Sequence, residues 1–582
     1  MKPLLFNAVI ALSLTLLAGC AAVPERATQE SSPGDAGEAP DAGDLPYTKS
    51  SEPVGELSSD IVFNALAGEV AAQRGELELA YRHLMRVATL SGDAKAAERA
   101  TRLAIFLKND ELAMEAIARW VELAPNDMSA RQLGAALALR NGQNELAYTH
   151  LKAIVAISVP GKQDGFLYAM AAVSREKDNQ GSVGLLERLA ADYPDDPRGL
   201  YVVALTALMG KSYGLAETRS RQLIEQHPDW PKGYLLLSRI HVARDNKPAA
   251  RELLSSAVNR YPQEQILRTS YARILLDFDE KELAFEQFQQ IEKLSPDNVD
   301  ALFALGVLAL DMERLPEARK HFLRLRQLEK RLDESAYYLG RIEESDGQPD
   351  KAQEWYQKVR KGELSYEAQI RSAKLKAAQG KLTEARDWLK SMRIHMPEKS
   401  VQLYLVEVEV LRDHGTPEGV MALYGEGLKA HPGDENLLYS RALYAVTLDR
   451  LDILERDLNE VIAVNPKNAD ALNALGYTLA DQTERFDEAL DLITRALKLK
   501  PEAPAILDSM GWVHFRLGNL DQAVDYLRKA MNLLPDSEIA SHLGEVLWVM
   551  GKQEQARKVW QDALKDDPES KFILETMQRL DP

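Results

Sequence analysis

GWVHFRLGNLDQAVDYLRKAMNLLP, residues 511–535, is followed eight residues later by GEVLWVMGKQEQARKVWQDALKDDP, residues 544–568. Each stretch opens on a glycine (Gly511, Gly544), sets an alanine twelve residues on (Ala523, Ala556) and closes on a proline twelve beyond that (Pro535, Pro568). The closing proline recurs at Pro125, Pro160, Pro194, Pro228, Pro262 and Pro296, then at Pro397, Pro432, Pro466, Pro501, Pro535 and Pro568. The one long gap, 101 residues, holds three periods of about 34, so the ladder skips two prolines without leaving register. That period is the length of a helix–turn–helix hairpin. Accidental spacing would drift out of phase within a few periods.

The hairpin explains the residues. Small side chains at fixed places on two successive helices let their backbones approach closely, as with Ala204, Ser238, Ala272, Ala373, Gly511 and Gly544 on the first helix. Ala113, Ala216, Ala250, Ala284, Ala385, Ala523 and Ala556 do the same on the second. The two rungs without proline keep the pair as Gly306 with Ala318 and Gly340 with Ala352. Apolar residues four, one and three places from the small residue complete a stripe at helical spacing, as Leu507 and Met510 do around Gly511. Proline then stops the second helix, because its ring cannot continue the hydrogen-bond ladder.

Small residue, alanine and proline in this order resemble the tetratricopeptide repeat family. The resemblance spans nearly nine-tenths of the chain. It implies an all-α superhelical solenoid of about fifteen repeats over residues 58–568, closed by a capping segment at 569–582. Some rungs depart from the pattern and predict bends or breaks. Met170 and Ser182 stand at small positions, as do Val408 and Val420 where Gly419, Gly425 and Gly427 loosen the second helix. Leu454 replaces an alanine, and one extra residue lies between Gly476 and Ala489.

The amino terminus reads as an address. Lys2 precedes an apolar run from Leu4 to Leu17 and the small residues Ala18, Gly19 and Cys20. The run is short for a membrane span. Leu17-Ala18-Gly19-Cys20 resembles the lipobox of bacterial lipoproteins. That resemblance implies a signal peptide at 1–19, cleavage before Cys20 and acylation of the new terminus. Ala21, rather than aspartate, after the cysteine implies export to the outer membrane, facing the periplasm. Residues 20–57 are rich in Ala, Gly, Pro, Ser, Asp and Glu, which predicts a disordered acidic tether. Cys20 is the only cysteine, so no disulfide forms within the chain.

With 71 basic and 89 acidic residues the formal charge is −18, and no long basic run appears, which argues against nucleic acid as a partner. The sequence lacks H-E-x-x-H, G-x-x-x-x-G-K-[ST] and G-x-S-x-G, so neither an enzyme nor a cofactor is expected. His227 and His431 precede repeat-ending prolines, where capping a helix end is the expected role. His514 and His542 sit in neighbouring repeats without a third metal ligand.

What remains is the inner face lined by the first helix of each repeat. In the family, positions one and four after the small residue turn inward. Here they bear Tyr477, Trp512, Phe515 and Trp548, with a second, apolar set of Phe303, Val307 and Leu310. Aromatic side chains on a groove suit capture of a peptide or partner helix. The competing placement packs them against adjacent repeats. Lipobox, acidic tether and long array together resemble the tetratricopeptide lipoproteins of pseudomonads. These are adaptors for a periplasmic carboxyl-terminal processing protease that degrades peptidoglycan cross-link hydrolases. The alternative is an assembly or activation factor for a pilus secretin, an outer-membrane protein insertase or a peptidoglycan synthase.

Overall fold

Two residues after many of the closing prolines stands an aspartate or asparagine whose side chain accepts the first free amides of the next helix. Asp127, Asp196, Asn298, Asp434 and Asn468 all do so. Proline therefore ends one repeat and its near neighbour begins the next. Between the two helices of a repeat, one residue commonly takes a left-handed backbone. It is glycine at Gly518 and Gly551, but Lys211, Asp245, Asp279 and Glu313 accept the same strain.

These signals build helix after helix in the computed structural model, which describes residues 58–158, 164–174 and 179–580. The expected signal peptide, Cys20 and the tether, like Pro160, lie outside the described residues. Among those described there is no strand. The chain divides into two units, one ending at Arg331 and the other beginning at Leu332. Among the described residues the first holds eight helix pairs, from Ser59–Gln73 with Leu77–Ser91 to Val299–Asp311 with Leu315–Gln327. The second holds seven, from Leu332–Ser345 with Pro349–Tyr356 to Ser537–Val549 with Gln553–Asp566, and then a single closing helix, Lys571–Leu580. Fifteen pairs agree with the period read from the sequence. Within each unit, a helix pair packs on the next, first helix near first helix.

The small residues are explained by what they face. A Cβ on Gly306 would meet the Phe322 ring at 2.7 Å, and on Gly511 the Leu527 side chain at 2.5 Å. At Gly340 it would collide with the Tyr356 ring, and at Gly544 with the buried indole of Trp560. In each case the partner is sixteen residues later, on the second helix. At Gly476 the partner is Ile493, seventeen later, because the extra residue lengthens the first helix to Gln482. Thr483 then turns the chain with an extended backbone, its hydroxyl bonding Leu479 O at 2.6 Å and accepting from Arg485 N at 3.0 Å. The insertion is absorbed locally, and the stack continues.

Among the described residues the other departures also cause no break. Pro417–Ala430 runs as one helix through Gly419, Gly425 and Gly427, with Gly427 buried against Leu437 and Tyr404. Val420 and Leu454 are fully buried in place of alanine. Ser182 fills its small position by donating to Val173 O at 2.8 Å. Where proline is missing, the helix Leu315–Gln327 ends with Glu329 and Arg331 in left-handed conformations.

Candidate functional site

Three first helices of the second unit carry the aromatic set: Ala469–Gln482, Pro504–Arg516 and Ser537–Val549. The structure draws much of that set into a polar cluster. Trp512 is 7% exposed, lies stacked on the imidazole of His542 with ring centroids 4.2 Å apart, and donates from Nε1 to Asp481 Oδ1 at 3.2 Å. His542 Nδ1 faces both carboxylate oxygens of Asp508, at 3.0 and 3.1 Å. Tyr477 donates its hydroxyl to Glu538 Oε1 at 3.3 Å, and its ring lies 6.1 Å from that of His542.

Burial and neighbouring charges shift these groups in definite directions. Burial works against a charged His542, but the hydrogen bond and charge of Asp508, helped by Glu538 and Glu545, outweigh it and hold its pKa above the ordinary histidine value. Burial raises Glu538 above the usual carboxylate range. Burial, with Glu538 next, raises the Tyr477 hydroxyl, which stays neutral. The result is an imidazole held between the Asp508 carboxylate and an indole face, an arrangement that positions three helices against one another.

Phe515 and Trp548 remain half-exposed. Phe515 lies 5.1 Å from Trp512, and Trp548 stacks on Trp560 at 5.8 Å with the Arg557 guanidinium 5.1 Å over its ring. Trp512 thus belongs mainly to the packing between repeats, while Phe515 and Trp548 keep an edge open to a partner.

The second expected set requires correction. Phe303, Val307 and Leu310 are 5%, 3% and 7% exposed. The helix that bears them is buried on nearly every side, with Phe303 against Phe322 at 6.1 Å and under the Arg331 guanidinium at 4.5 Å. An apolar residue at an inward position is still covered when neighbouring side chains close over it, so these three form core and no open patch.

The histidines also find other duties. The amides of His227 and His431 close their helices on Leu223 and Gly427, and the His431 ring reaches Ser400 Oγ at 2.8 Å in the preceding helix. His514 stacks on Tyr526 at 5.6 Å. Among the described residues, no group of three or more His, Cys, Asp or Glu could hold a metal ion, and no helix is long and apolar enough to cross a membrane.

Reading residue types singly missed the cluster around His542. Its signal lies in pairs one repeat apart: Asp508 with His542, Glu545 with Arg579 and Tyr81 with Glu115 are each separated by 34 residues and hydrogen-bonded.

Comparison with known proteins agrees with this architecture. The Tetratricopeptide repeat family matches residues 235–299, 272–330, 303–364, 439–504 and 478–538. A TPR repeat-containing protein of Pseudomonas aeruginosa is 33% identical over 501 residues, covering 85% of this chain and 83% of its own length. The TPR repeat-containing protein YpiA of Bacillus subtilis is 20% identical over 57% of this chain and 87% of its own. Among solved structures, the APC/C hetero-tetramer Cut9–Hcn1 covers 90% of this chain and 97% of its own at 14% identity, with a TM-score of 0.31. With the repeat ladder, the fifteen helix pairs and a relative of one-third identity over most of its length, the chain belongs to the tetratricopeptide-repeat family.

Proposed function

We propose that the protein is a non-catalytic adaptor, lipid-anchored through Cys20 to the outer membrane and facing the periplasm, which holds a carboxyl-terminal processing protease together with peptidoglycan cross-link hydrolases. Tetratricopeptide arrays are protein–protein interaction scaffolds, and such scaffold folds are typically non-catalytic. The observation that carries the reading is the repeat number: the fifteen helix pairs among the described residues offer separate first-helix faces on which more than one partner can be held. The lipobox-like Leu17-Ala18-Gly19-Cys20 and the acidic tether supply the placement at the membrane. Tethering makes the second encounter intramolecular and raises its effective concentration.

Reconstitution tests it. The protease and a cross-link hydrolase are incubated with and without the purified chain. Faster hydrolase degradation with the chain, and no cleavage by the chain alone, is the expected result. An unchanged rate would end the protease-adaptor reading. The anchor is tested separately, by loss of palmitate labelling and of membrane fractionation in Cys20→Ala.

A further inference from the structure

We propose that the outer face of the helix Ser59–Gln73 is a self-association surface on which a second copy of this chain docks, the two helices lying antiparallel about a two-fold axis near Leu66. The proposal concerns the chain's own assembly and stands apart from the adaptor reading.

The face is defined by the repeat register. Gly68 is the small residue of this helix: a Cβ there would meet the side chain of Leu84, sixteen residues later, at 3.6 Å, and Ala80 stands twelve residues on. Phe63 and Leu66 are five and two places before the small residue, and Val70 is two after it. In later repeats the same three places are buried: Ile506, Ser509 and Val513 around Gly511, and Ile539, His542 and Val546 around Gly544. There the preceding helix pair packs over them. No pair among the described residues precedes Ser59–Gln73, and Phe63, Leu66 and Val70 are 64%, 63% and 44% exposed. Val62, one turn before Leu66, is exposed too and widens the strip.

An end repeat left in water needs a polar outer face. This one is an apolar stripe running over two turns of helix. Its register is that of a contact between repeats, which selects another helix face as the occupant rather than a small ligand.

The charges choose the helix. Asp60 and Arg74 flank the stripe at its two ends, both are exposed, and neither side chain holds an ion pair or hydrogen bond among the described residues. They lie fourteen residues apart, with Leu66 and Ala67 midway, and helical angle puts both on one side of the stripe. An antiparallel two-fold about that midpoint brings Asp60 of each copy to Arg74 of the other. It also sets Phe63 against Val70 and Leu66 close to its own equivalent. Glu69, the other acid beside the stripe, is already matched by Arg99 of its own chain at 2.5 Å.

Other occupants fit less well. Residues 21–57 of the same chain carry Val23, Leu45, Tyr47, Val54 and Leu57 as their large apolar side chains, interrupted by five prolines, so their sequence supplies no apolar helix face. The closing helix Lys571–Leu580 exposes Phe572 and Leu574, but two residues apart they stand on opposite sides of it and form no stripe.

Sedimentation equilibrium tests the surface, on the chain with residues 1–20 removed, which keeps every described residue and lacks the single thiol. A dimer that dissociates on dilution is expected. Leu66→Glu should weaken it at least about tenfold and Arg74→Asp about threefold, with Asp60→Arg/Arg74→Asp restoring most of the loss. Leu66→Cys in the same chain should give a disulfide-linked dimer on mild oxidation, because a two-fold near residue 66 sets the two thiols together. Leu66 is exposed in the single chain, so Leu66→Glu should leave the helical circular dichroism and melting temperature of the dilute monomer unchanged. A monomer at every concentration, or a dimer unmoved by Leu66→Glu, overturns the proposal. Masses that grow beyond two copies mean head-to-tail stacking and overturn the two-fold. A dilute monomer destabilised by Leu66→Glu has its stripe covered by its own chain. One that co-sediments with phosphatidylglycerol vesicles only while Leu66 is intact has it covered by lipid. Either result overturns the second copy as occupant. None of these outcomes bears on the reconstituted degradation assay, which tests the adaptor reading.

Discussion

Trp512 covers one face of the His542 imidazole at a centroid distance of 4.2 Å, while Asp508, on the same helix as the indole, engages the ring nitrogen at 3.0 Å. One helix thus supplies both the hydrophobic lid and the carboxylate partner for an imidazole on the first helix of the next repeat. Removing one partner of a buried pair leaves the other uncompensated. Asp508→Asn should therefore destabilise the second unit by about 3–5 kcal/mol. Chemical denaturation that resolves the two units would show the loss in the second alone. A loss below about 1 kcal/mol would mean that His542 is not held charged.

The same pair sets a pH response. His542 binds its proton more tightly folded than unfolded, so its contribution is complete below the unfolded value near 6.5 and disappears as pH rises through the raised folded value. Glu538, also raised, acts in the same direction at lower pH. In the first unit His150 does the opposite: burial, then Arg131, pushes it down to about 4, so stability is lost as pH falls from 6.5 toward 4. Hydrogen exchange should show Met128–Ile157 loosening on acidification while Pro504–Val549 holds. Parallel loosening of both segments would contradict the assignment.

How far the sequence disclosed all this follows from what each feature depends on. Period, helix pairing and repeat number were legible because Gly306, Gly511 and Gly544 are small for a local reason: each meets a large residue sixteen places later. The cluster around His542 was not, because it joins residues of unrelated type on three helices and depends on which neighbour occupies the matching register. Burial of Phe303, Val307 and Leu310 escaped for a similar reason. An inward position identifies direction, but exposure is decided by the neighbouring side chains that close over it.

Glycines of the same chain should therefore respond oppositely to alanine. At Gly544 the new methyl would overlap the fully buried Trp560, and the cost of overpacking should exceed the helix gain, leaving a net loss of about 1–3 kcal/mol. Gly425 lies within the helix Pro417–Ala430, and a methyl group there would meet nothing within 4 Å, so Gly425→Ala should stabilise by about 0.5–1 kcal/mol. Urea midpoints of the two variants check the contrast. Equal shifts would show that Trp560 can yield.

The closing helix Lys571–Leu580 offers a test of how far a disturbance travels. Arg579 donates two hydrogen bonds to the buried carboxylate of Glu545, at 2.8 and 2.6 Å, and Ser541 reaches Phe572 O at 3.0 Å and Thr576 Oγ1 at 2.9 Å. Arg579→Ala leaves Glu545 uncompensated, and in stacked repeats stability passes only between neighbours. Faster hydrogen exchange is expected in Ser537–Val549 and Gln553–Asp566, fading through Pro504–Arg516 and absent from Met128–Arg140. Because a lost carboxylate partner differs from lost packing, Arg579→Ala/Glu545→Gln should recover much of the stability that Arg579→Ala removes. If the double variant is no better than the single one, the helix is held by its apolar contacts, chiefly the buried Ile573, and the ion pair contributes nothing net.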